Sequence, residues 1–522
     1  MDPVIVAGAG PVGLSTALAL ARLGVPTVLL DEGPQTEVER AARTTVLRPE
    51  TAAFLTRIGC TGLSAEGTHW SAWRMLHRRQ SVRHQDLGTR APLHLPQHAL
   101  TRRLREALAE QSLAEVVPDC RLDTLEQDPT GVSVLTQGAG GRWWRGSYLI
   151  GCDGPRSTVR KLLKVRFPGR TSVERQAIAA LRTELPWPGE AVLHRSPPGG
   201  GEVLARSLPD GVWRIDWLVP SRGDLITPEE LLDRIGATLD GWCGAAGTPP
   251  YELLDTGVYT VHHRLAQRWR VGRAFLAGDA AHLLGSLGTQ QLDEGFSDVA
   301  NLVWKLALAW HQGASEQLLD SYQAERRSAV GARLRATDQL LPLLRSEGTW
   351  PAVRRSLLPG AARSQEDLLT GGHLGSGPLG ASPVHADSPL VPPPPASSTS
   401  VDTSVGAQVA DVEVITSDGS AARLHDLLGG RMLVLLIAPG TAVWDHRHWL
   451  DAGLMPRLTE AVTTLPVPAE FLVAESYPGA AAHTVLLIRP DGHLVTAMAG
   501  VHPSQLHECA DAARGGAVSR DP

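Results

Sequence analysis

Residues 4–13 of this chain, Val-Ile-Val-Ala-Gly-Ala-Gly-Pro-Val-Gly, decide its fold. The apolar run leads into a glycine turn, and residues 14–22, rich in Ala and Leu, have the composition of a helix. A second apolar run at 27–30 ends at Asp31. Strand, glycine turn, helix and strand in this order predict a βαβ unit whose loop backbone can approach a pyrophosphate at a helix N-terminus. The Asp31 carboxylate, at the end of the second strand, can accept hydrogen bonds from a ribose.

Two later segments also end a strand with a glycine-containing loop. The first is 151–160, Gly-Cys-Asp-Gly-Pro-Arg-Ser-Thr-Val-Arg, after the apolar residues 148–150. The second begins at 278–282, Gly-Asp-Ala-Ala-His, and continues through 288–292, Gly-Thr-Gln-Gln-Leu, into a helix with one apolar stripe. Nucleotide-facing loops at distant positions of one chain predict a single extended dinucleotide lying across the fold, which we identify as FAD.

Composition is that of a soluble globular protein with several domains. The 522 residues suffice for two or three buried cores, and 49 Lys and Arg against 55 Asp and Glu give a net charge of −6, without a basic run that would follow a nucleic-acid backbone. The residues before Val4 leave no room for a signal peptide, and apolar runs such as 432–438 are shorter than the roughly 20 residues that span a bilayer. Five scattered cysteines without a CxxC pair indicate neither a zinc site nor disulfides. We therefore expect a cytoplasmic protein without metal, nucleic acid or membrane as partners.

The pattern between residues 180 and 265 changes to short alternating strands. In one of them Trp213, Ile215 and Trp217 share a face, whereas the Gly, Pro and Ser of 371–405 are typical of a linker. The predicted fold class is α/β: a Rossmann-like FAD-binding domain, an inserted and mostly antiparallel β-sheet domain for the substrate, and a C-terminal α/β domain. The predicted boundaries are 1–175 and 265–370 for the FAD-binding domain (with part of 70–100 near the substrate site), 176–264 for the sheet domain, 371–405 for the linker and 406–522 for the C-terminal domain.

Together, the three loops resemble those of the FAD-dependent aromatic hydroxylases, the single-component flavoprotein monooxygenases that include phenol hydroxylases and aromatic polyketide hydroxylases. The resemblance covers nearly the whole chain. Residues 406–522 are similar to the thioredoxin-like domain of these enzymes, with Pro-Gly-Thr-Ala-Val-Trp at 439–444 instead of CxxC, which excludes disulfide exchange there. The resemblance implies that the flavin is bound by residues of the three loops and of two segments between them. These residues are Gly8, Gly10, Pro11, Gly13, Asp31, Arg43, Gln97, Asp153, Asp279, Gly288, Leu292 and Asp293.

The third loop departs from the family pattern. The family has two prolines where this chain has Gly285 and Ser286, and it has Gly-Gly-Gln-Gly and an asparagine where this chain has Gly-Thr-Gln-Gln at 288–291 and then Asp293. The added side chains restrict the backbone beside the flavin ring. Asp293 is predicted to be a helix N-cap. If its carboxylate faced the flavin instead, it would shift the reduction potential downward.

The resemblance also sets the expected chemistry. Because the chain has only one credible Rossmann fingerprint, NAD(P)H is expected to dock transiently, reduce the flavin and leave. Reduced flavin and O₂ then form a C4a-(hydro)peroxide that inserts one oxygen atom into a polycyclic aromatic, polyketide-type substrate, and no side chain is named as a nucleophile or general base. The alternatives are Baeyer–Villiger oxygenation and a turnover-deficient accessory protein that binds flavin or substrate. The choice of NADPH or NADH, the regiochemistry and a homodimer stay open.

Tryptophan is unusually frequent, with 14 residues against five Phe and five Tyr. Trp70, Trp73, Trp213 and Trp217 fall where the family has its substrate region, and stacking on them would suit a flat ligand. Packing in the protein core explains each of them equally well. These four are the predicted substrate-binding residues.

Overall fold

A computed structural model describes the chain except residues 35–38, 79, 139–140, 198–200, 220–225, 245–246, 286–289, 314, 346–360, 378–379, 441–453 and 517–522. Of residues 172–174, 290, 340–345, 361–365 and 454 it describes the backbone alone. Within these limits, no helix is both long and apolar enough to cross a bilayer.

The strands in chain order are β1 Val4–Ala7, β2 Thr27–Leu30, β3 Thr44–Leu47, β4 Thr68–His69, β5 Ala72–His77, β6 Gln80–Asp86, β7 Leu93–Pro96, β8 Ala114–Val117, β9 Cys120–Asp128, β10 Gly131–Gly138, β11 Trp143–Gly146, β12 Tyr148–Gly151, β13 Gly169–Thr183, β14 Ala191–His194, β15 Val203–Ser207, β16 Val212–Val219, β17 Tyr251–Leu265, β18 Arg270–Val271, β19 Ala274–Leu276, β20 His282–Leu284, β21 Glu413–Thr416, β22 Ala421–Arg423, β23 Met432–Ile437, β24 Ala469–Ala474, β25 Thr484–Ile488 and β26 Leu494–Ala499. The α-helices are α1 Pro11–Arg22, α2 Pro49–Arg57, α3 Gln97–Ala109, α4 Thr158–Leu162, α5 Pro228–Cys243, α6 Gln290–Gln312, α7 Glu316–Tyr322, α8 Ser328–Arg345, α9 Ala361–Leu374, α10 Leu454–Thr463 and α11 Pro503–Ala513.

The first sheet contains the predicted βαβ unit. Its strand order is β18-β19-β12-β1-β2-β8, and β1 pairs in parallel with both β2 and β12. All four residues of β1, β2 and β12 are buried, as expected for parallel strands covered on both faces. Helices α1 and α6 contact each other beside this sheet, and the carboxyl ends of β1, β12 and β19 lead into the three glycine-containing loops. The loops are therefore neighbours in space.

The second sheet has eight strands in the order β20-β17-β13-β16-β15-β14-β5-β6. It is antiparallel except for the pair of β14 and β5. Because β5, β6 and β20 belong to it, the sheet extends beyond the interval 176–264 that the sequence predicts for its domain. On one face Trp213, Ile215 and Trp217 pack with Ile235 and Leu239 of α5, so these three residues do share a face. Side chains on the other face, among them Arg214 and Asp216, line a cavity together with the nucleotide loops.

The C-terminal unit is built on a sheet of order β22-β21-β24-β23-β25-β26. Strand β23 is parallel to β24 and antiparallel to β25, and β25 and β26 form the hairpin predicted from Pro490, Asp491 and Gly492. The predicted linker begins inside α9, because this helix continues to Leu374. A buried ion-paired group joins the unit to the rest of the chain, since Arg489 donates to Glu325, which also accepts from Lys305 of α6.

Candidate functional site

A cavity of about 390 Å³ lies between the three loops and the second sheet. At one end it is lined by Gly10, Gly154 and Asp279, one residue from each loop. At the other end it is lined by side chains of β15 and β16, among them Arg206 and Arg214. The fold therefore joins the predicted nucleotide loops and the face of the sheet in one continuous space.

The glycines of the first loop have different reasons to be glycine. A Cβ on Gly13 would lie 1.8 Å from the Gly8 carbonyl oxygen, and Gly8 itself has φ +100° with the Cys152 carbonyl oxygen 2.6 Å from its own Cβ position. Both are needed for close packing of α1 on the strands. Gly10 has an ordinary φ of −72° and nothing within 4 Å of its Cβ position. The protein's own contacts give no reason for glycine there, whereas close approach of a bound group would give one.

Asp31 supports the same loop, because its Oδ1 accepts a hydrogen bond of 2.9 Å from the Ala9 backbone N–H. Arg43 and Gln97 lie together at the cavity, with Arg43 Nε donating to Gln97 Oε1 over 3.2 Å. Pro11, at the start of α1, and Leu292 also line the cavity. The structure thus brings together predicted residues that are far apart in the sequence.

The Asp153 carboxylate caps the short helix α4. Its Oδ1 accepts from the Ser157 hydroxyl at 2.5 Å and its Oδ2 from the Val159 backbone N–H at 2.9 Å. Burial raises the pKa of Asp153. The side chain shapes the loop through these bonds, and the loop residues that line the cavity are its neighbours Cys152, Gly154 and Pro155.

Arg160 ties the second loop to the third, a role that the sequence analysis missed. Its guanidinium donates to the Pro155 carbonyl at 2.8 Å and to the Ala280 carbonyl at 2.9 Å, and it lies 3.9 Å from the ring centre of Phe167. The sequence did contain a signal for this role, because the segment 151–160 ends in a second arginine. The two loops are therefore held at a constant spacing.

Asp279 is half-buried at the nucleotide end of the cavity. Burial raises its pKa, and its Oδ1 accepts a hydrogen bond of 2.8 Å from Gln291 Nε2. Asp298, on α6, fixes the start of the same loop by accepting from the Gly278 backbone N–H at 3.0 Å and pairing with His282 at 2.8 Å. Gly288 lies outside the described residues.

Asp293 is not the N-cap that the sequence predicts, because α6 already begins at Gln290. Its carboxylate is fully buried and accepts from the Arg48 backbone N–H at 3.3 Å, while Arg48 Nε lies 3.2 Å from it. Burial raises its pKa, against the opposing effect of Arg48. The acid therefore joins α6 to α2, and it is not among the residues that line the cavity.

The four predicted substrate-binding tryptophans are all buried, and the cavity lining does not include them. Trp213 and Trp217 lie on the α5 side of the sheet, where Trp217 Nε1 donates to Thr238. Trp70 and Trp73 pack in a cluster beneath the other side, and Trp73 stacks on His373, which does line the cavity. Packing explains all four positions.

Charged side chains on the sheet form the far wall of the cavity and were also missed by the sequence analysis. Arg206 and Arg214 both donate to Asp216, with a closest distance of 2.5 Å from Arg206 and 2.7 Å from Arg214. Although burial raises the pKa of Asp216, the two arginines lower it to about 2. Tyr259 points to the same carboxylate at 3.5 Å, and burial with Asp216 raises its pKa to about 12. Arg214 and Asp216 alternate with Trp213, Ile215 and Trp217 along β16. The same alternation that placed the apolar residues on one face could therefore have predicted a charged opposite face.

The described residues fit a dinucleotide flavin. An open space beside Gly10 at the start of α1 leaves room for a pyrophosphate. Asp279 supplies an acceptor further along the cavity, and Arg43 supplies a cation. Among the described residues, no cluster of His, Cys, Asp and Glu could hold a metal ion.

Comparisons with known proteins agree with this geometry. Residues 1–337 match the family model described as FAD binding domain. An uncharacterised aromatic compound monooxygenase of Bacillus subtilis (strain 168) is 30% identical over 508 residues, covering 95% of this chain and 94% of the relative. The 12-dehydrotetracycline 5-monooxygenase/anhydrotetracycline 6-monooxygenase of Streptomyces rimosus subsp. rimosus is 28% identical and covers 94% of each chain. A solved complex of aklavinone-11 hydroxylase with FAD and aklavinone shares the fold, with a TM-score of 0.73 over 98% of this chain and 99% of that chain at 21% identity.

Proposed function

The chain belongs to the FAD-dependent aromatic hydroxylase family, and we propose that this monooxygenase inserts one oxygen atom of O₂ into a polycyclic aromatic, polyketide-type substrate. The observation that carries the proposal is the single cavity that joins the three nucleotide loops to the wall formed by β15 and β16. The relatives named for tetracycline and aklavinone support the polycyclic substrate class. Hydroxylation is favoured over Baeyer–Villiger oxygenation because the name of the aklavinone enzyme states hydroxylation.

FAD, once bound and reduced by NAD(P)H, supplies the redox chemistry and the activated oxygen. The chain's own residues bind and orient it. Gly10 would leave space for the pyrophosphate, Asp31 and Asp279 would accept hydrogen bonds from hydroxyl groups of bound FAD, and Arg43 would offer a positive charge. Gly8, Gly13 and Asp153 act by shaping the loops, through backbone packing and capping.

The substrate end of the cavity is enclosed by side chains from several elements. Val46, Leu204 and Leu218 supply apolar wall, and His373 of α9 closes the cavity next to Trp73. Water-excluding walls protect activated oxygen from unproductive loss and strengthen polar contacts to the substrate. No side chain is assigned as nucleophile or general base, because the reaction needs positioning more than proton transfer from the protein.

The C-terminal unit is proposed to be thioredoxin-like in fold and structural in role. Its elements run β23, α10, β24 and then β25, β26, α11, with β23 and β24 parallel. Trp304 and Leu308 of α6 belong to the same apolar core as Met432 and Val434 of β23. The unit therefore packs directly on the helix that starts at the third loop.

Isotope labelling tests the proposed function. The purified protein, loaded with FAD, is incubated with NADPH and ¹⁸O₂ across a panel of anthraquinone and naphthacenequinone phenols, and product mass and NADPH loss are measured together. One ¹⁸O in a hydroxylated product, with substrate-stimulated NADPH loss, is the expected result. A ring-expanded lactone carrying ¹⁸O would replace hydroxylation with Baeyer–Villiger oxygenation, and a bound flavin that neither NADPH nor NADH reduces would contradict the proposal.

A further inference from the structure

Two buried arginines face each other across neighbouring strands of the cavity wall. Arg206 of β15 is directly opposite Arg214 of β16 in the antiparallel register, and both side chains are only 10% exposed. Like charges directly opposite each other destabilise a sheet. Asp216 lies two residues along β16 and accepts hydrogen bonds from both arginines. Two positive charges therefore share one negative charge.

Arg214 has most of its donors engaged. Its Nη2 and Nε donate to Asp216, and its Nη1 lies 3.2 Å from the hydroxyl oxygen of Thr44. That hydroxyl is held in turn by His94 at 2.8 Å, whose other ring nitrogen contacts the Ser207 carbonyl at 2.7 Å. Because burial lowers the pKa of His94 far below its ordinary value, the ring is neutral. The neutral ring donates a hydrogen bond from Nδ1 to the Ser207 carbonyl and accepts one at Nε2 from the Thr44 hydroxyl. The oxygen of that hydroxyl can therefore accept a hydrogen bond from Arg214.

Arg206 differs from its neighbour. Its Nη2 donates to Asp216, but its buried Nε has no hydrogen-bond partner in the described part of the chain. Burial and the charge of Arg214 lower the pKa of Arg206, against the opposing effect of Asp216, whereas the pKa of Arg214 is raised. A buried donor without a partner costs about 1–3 kcal/mol, and more when it is charged. The wall is therefore incomplete without an acceptor at Arg206.

The other titratable groups of the cavity do not supply that acceptor. Tyr259 already points to Asp216, and its high pKa keeps it neutral. Glu202 lies four residues before Arg206, so their Cα atoms are about 13 Å apart at the strand rise of about 3.3 Å per residue. Asp279 is at the opposite end of the cavity, near the nucleotide loops, and His373 contributes no negative charge. Because Arg206 and Arg214 both line the cavity, an anion bound there would add negative charge beside two arginines that share Asp216.

We propose that Arg206 is the anchor for an anionic oxygen on the aromatic substrate, either a carboxylate or an ionised phenol. The inference rests on the proposed function, because it takes the cavity as the substrate site. Arg214 and Asp216 position the guanidinium, and Arg206 contacts the substrate. The planar guanidinium of Arg206 lines the cavity and can match a carboxylate edge-on, and a hydrogen bond to an ion is stronger than one to a neutral group.

Binding measurements without turnover test the anchor. The FAD-loaded, oxidised protein is dialysed against matched pairs of one to four fused rings, each ring system carrying a carboxylate or the neutral carboxamide, and against hydroxyl and methoxy pairs. The variants are Arg206→Met, which keeps length and removes charge, and Arg206→Lys, which keeps charge and removes the planar fork. Arg182→Met is the matched control, because Arg182 lies on the same sheet in an exposed pair with Glu252.

The wild type and R182M are expected to bind at least one carboxylate about 10- to 100-fold more tightly than its carboxamide, as hydrogen bonds to charged groups allow. R206M should lose this preference while its affinity for the carboxamide stays within about threefold, and R206K should keep part of it. If instead the hydroxyl compound binds more tightly than its methoxy partner, the anion that Arg206 binds is an ionised phenol. Because R206M also removes the repulsion with Arg214, its melting temperature should not fall.

The inference is overturned if no anionic probe in the panel binds more tightly than its neutral partner, or if R206M weakens both members of a pair equally. The proposed function fails separately. A protein that prefers the carboxylate yet incorporates no ¹⁸O retains the anchor, and one that hydroxylates neutral probes without any preference for anions loses only the anchor.

Discussion

Two alanine substitutions in the first loop, Gly10→Ala and Gly13→Ala, separate cofactor binding from folding. A Cβ at position 13 would sit 1.8 Å from the Gly8 carbonyl oxygen, more than 1 Å inside any normal contact, so α1 has to move away from β1. Overpacking of a close-packed site costs about 1–3 kcal/mol, and occasionally more. We expect the free energy of unfolding of the FAD-free protein to fall by that amount in G13A.

Gly10→Ala has no such clash, because nothing lies within 4 Å of the Cβ position and φ is −72°. Replacing glycine at a helix N-cap by alanine costs less than about 1 kcal/mol, and the lower entropy of the unfolded chain returns about 0.4–1 kcal/mol. The FAD-free stability of G10A should therefore equal that of the wild type within about 1 kcal/mol. Its methyl group occupies the space through which a pyrophosphate approaches the backbone, so the Kd for FAD should rise at least about tenfold, or about 1.4 kcal/mol.

Urea unfolding of the FAD-free proteins and quenching of flavin fluorescence on titration measure the two quantities. Gly236→Ala is the control, because Gly236 lies within α5 and also has nothing within 4 Å. It should be neutral or stabilising and should leave FAD affinity unchanged. A G10A protein that binds FAD as tightly as the wild type would refute the placement of the pyrophosphate beside residue 10, and a fully stable G13A would refute the packing argument.

Three further outcomes follow from buried groups. Glu294→Gln removes a buried carboxylate that pairs with both Arg326 and Arg333 and should lower the free energy of unfolding by about 3–5 kcal/mol, whereas Glu316→Gln, at a pair whose acid is 81% exposed, should change it by less than about 1 kcal/mol. Burial raises the pKa of Glu294, but its arginine partners outweigh this effect and lower the pKa to about 2. The stability that Glu294 contributes is therefore present above pH 4.5 and is lost as the pH falls toward 2. The free energy of unfolding in urea should change less between about pH 5 and pH 3 in E294Q than in the wild type. Trp217→Phe removes a hydrogen bond to α5 and should cost about 1 kcal/mol in melting experiments while leaving the dialysis affinity for every polycyclic probe unchanged; a weaker affinity would mean that the residue reaches the substrate. Ellman's reagent should titrate one thiol of the native protein, Cys243, and Cys243→Ser should abolish that reaction, because the other four cysteines are buried.

Local patterns in the sequence predicted the parts of the fold that depend on local physics. The apolar run, glycine turn and small-residue helix of residues 4–31 predicted β1, α1 and β2 with parallel pairing. Alternation predicted that Trp213, Ile215 and Trp217 share a face. Neither pattern says what lies opposite that face, and the substrate role predicted for the tryptophans came from abundance and chain position. The structure places α5 against them.

The side-chain partners of two acids, one in the second loop and one in the third, could not be predicted from the sequence. Asp293 has the residue type of an N-cap, but its neighbour in space is Arg48, which is far away in the chain. Asp153 matches a motif, yet its carboxylate is used by Ser157 and Val159 of its own loop. A motif identifies which residues meet, whereas the partner of each side chain depends on the packing of α2, α4 and α6.

The register of β15 and β16 links the apolar pattern to the proposed anchor. Because successive side chains of a strand point to opposite faces, the burial of Trp213 and Trp217 against α5 forces Arg214 and Asp216 onto the cavity face. A slip by one residue would exchange the two sets and drive charged groups into the apolar layer under α5, which costs far more than the repulsion between two arginines. The tight turn at Pro209–Gly211 then sets Arg206 opposite Arg214. The hydrophobic residues that do not touch the cavity are therefore what hold its positive charge in place.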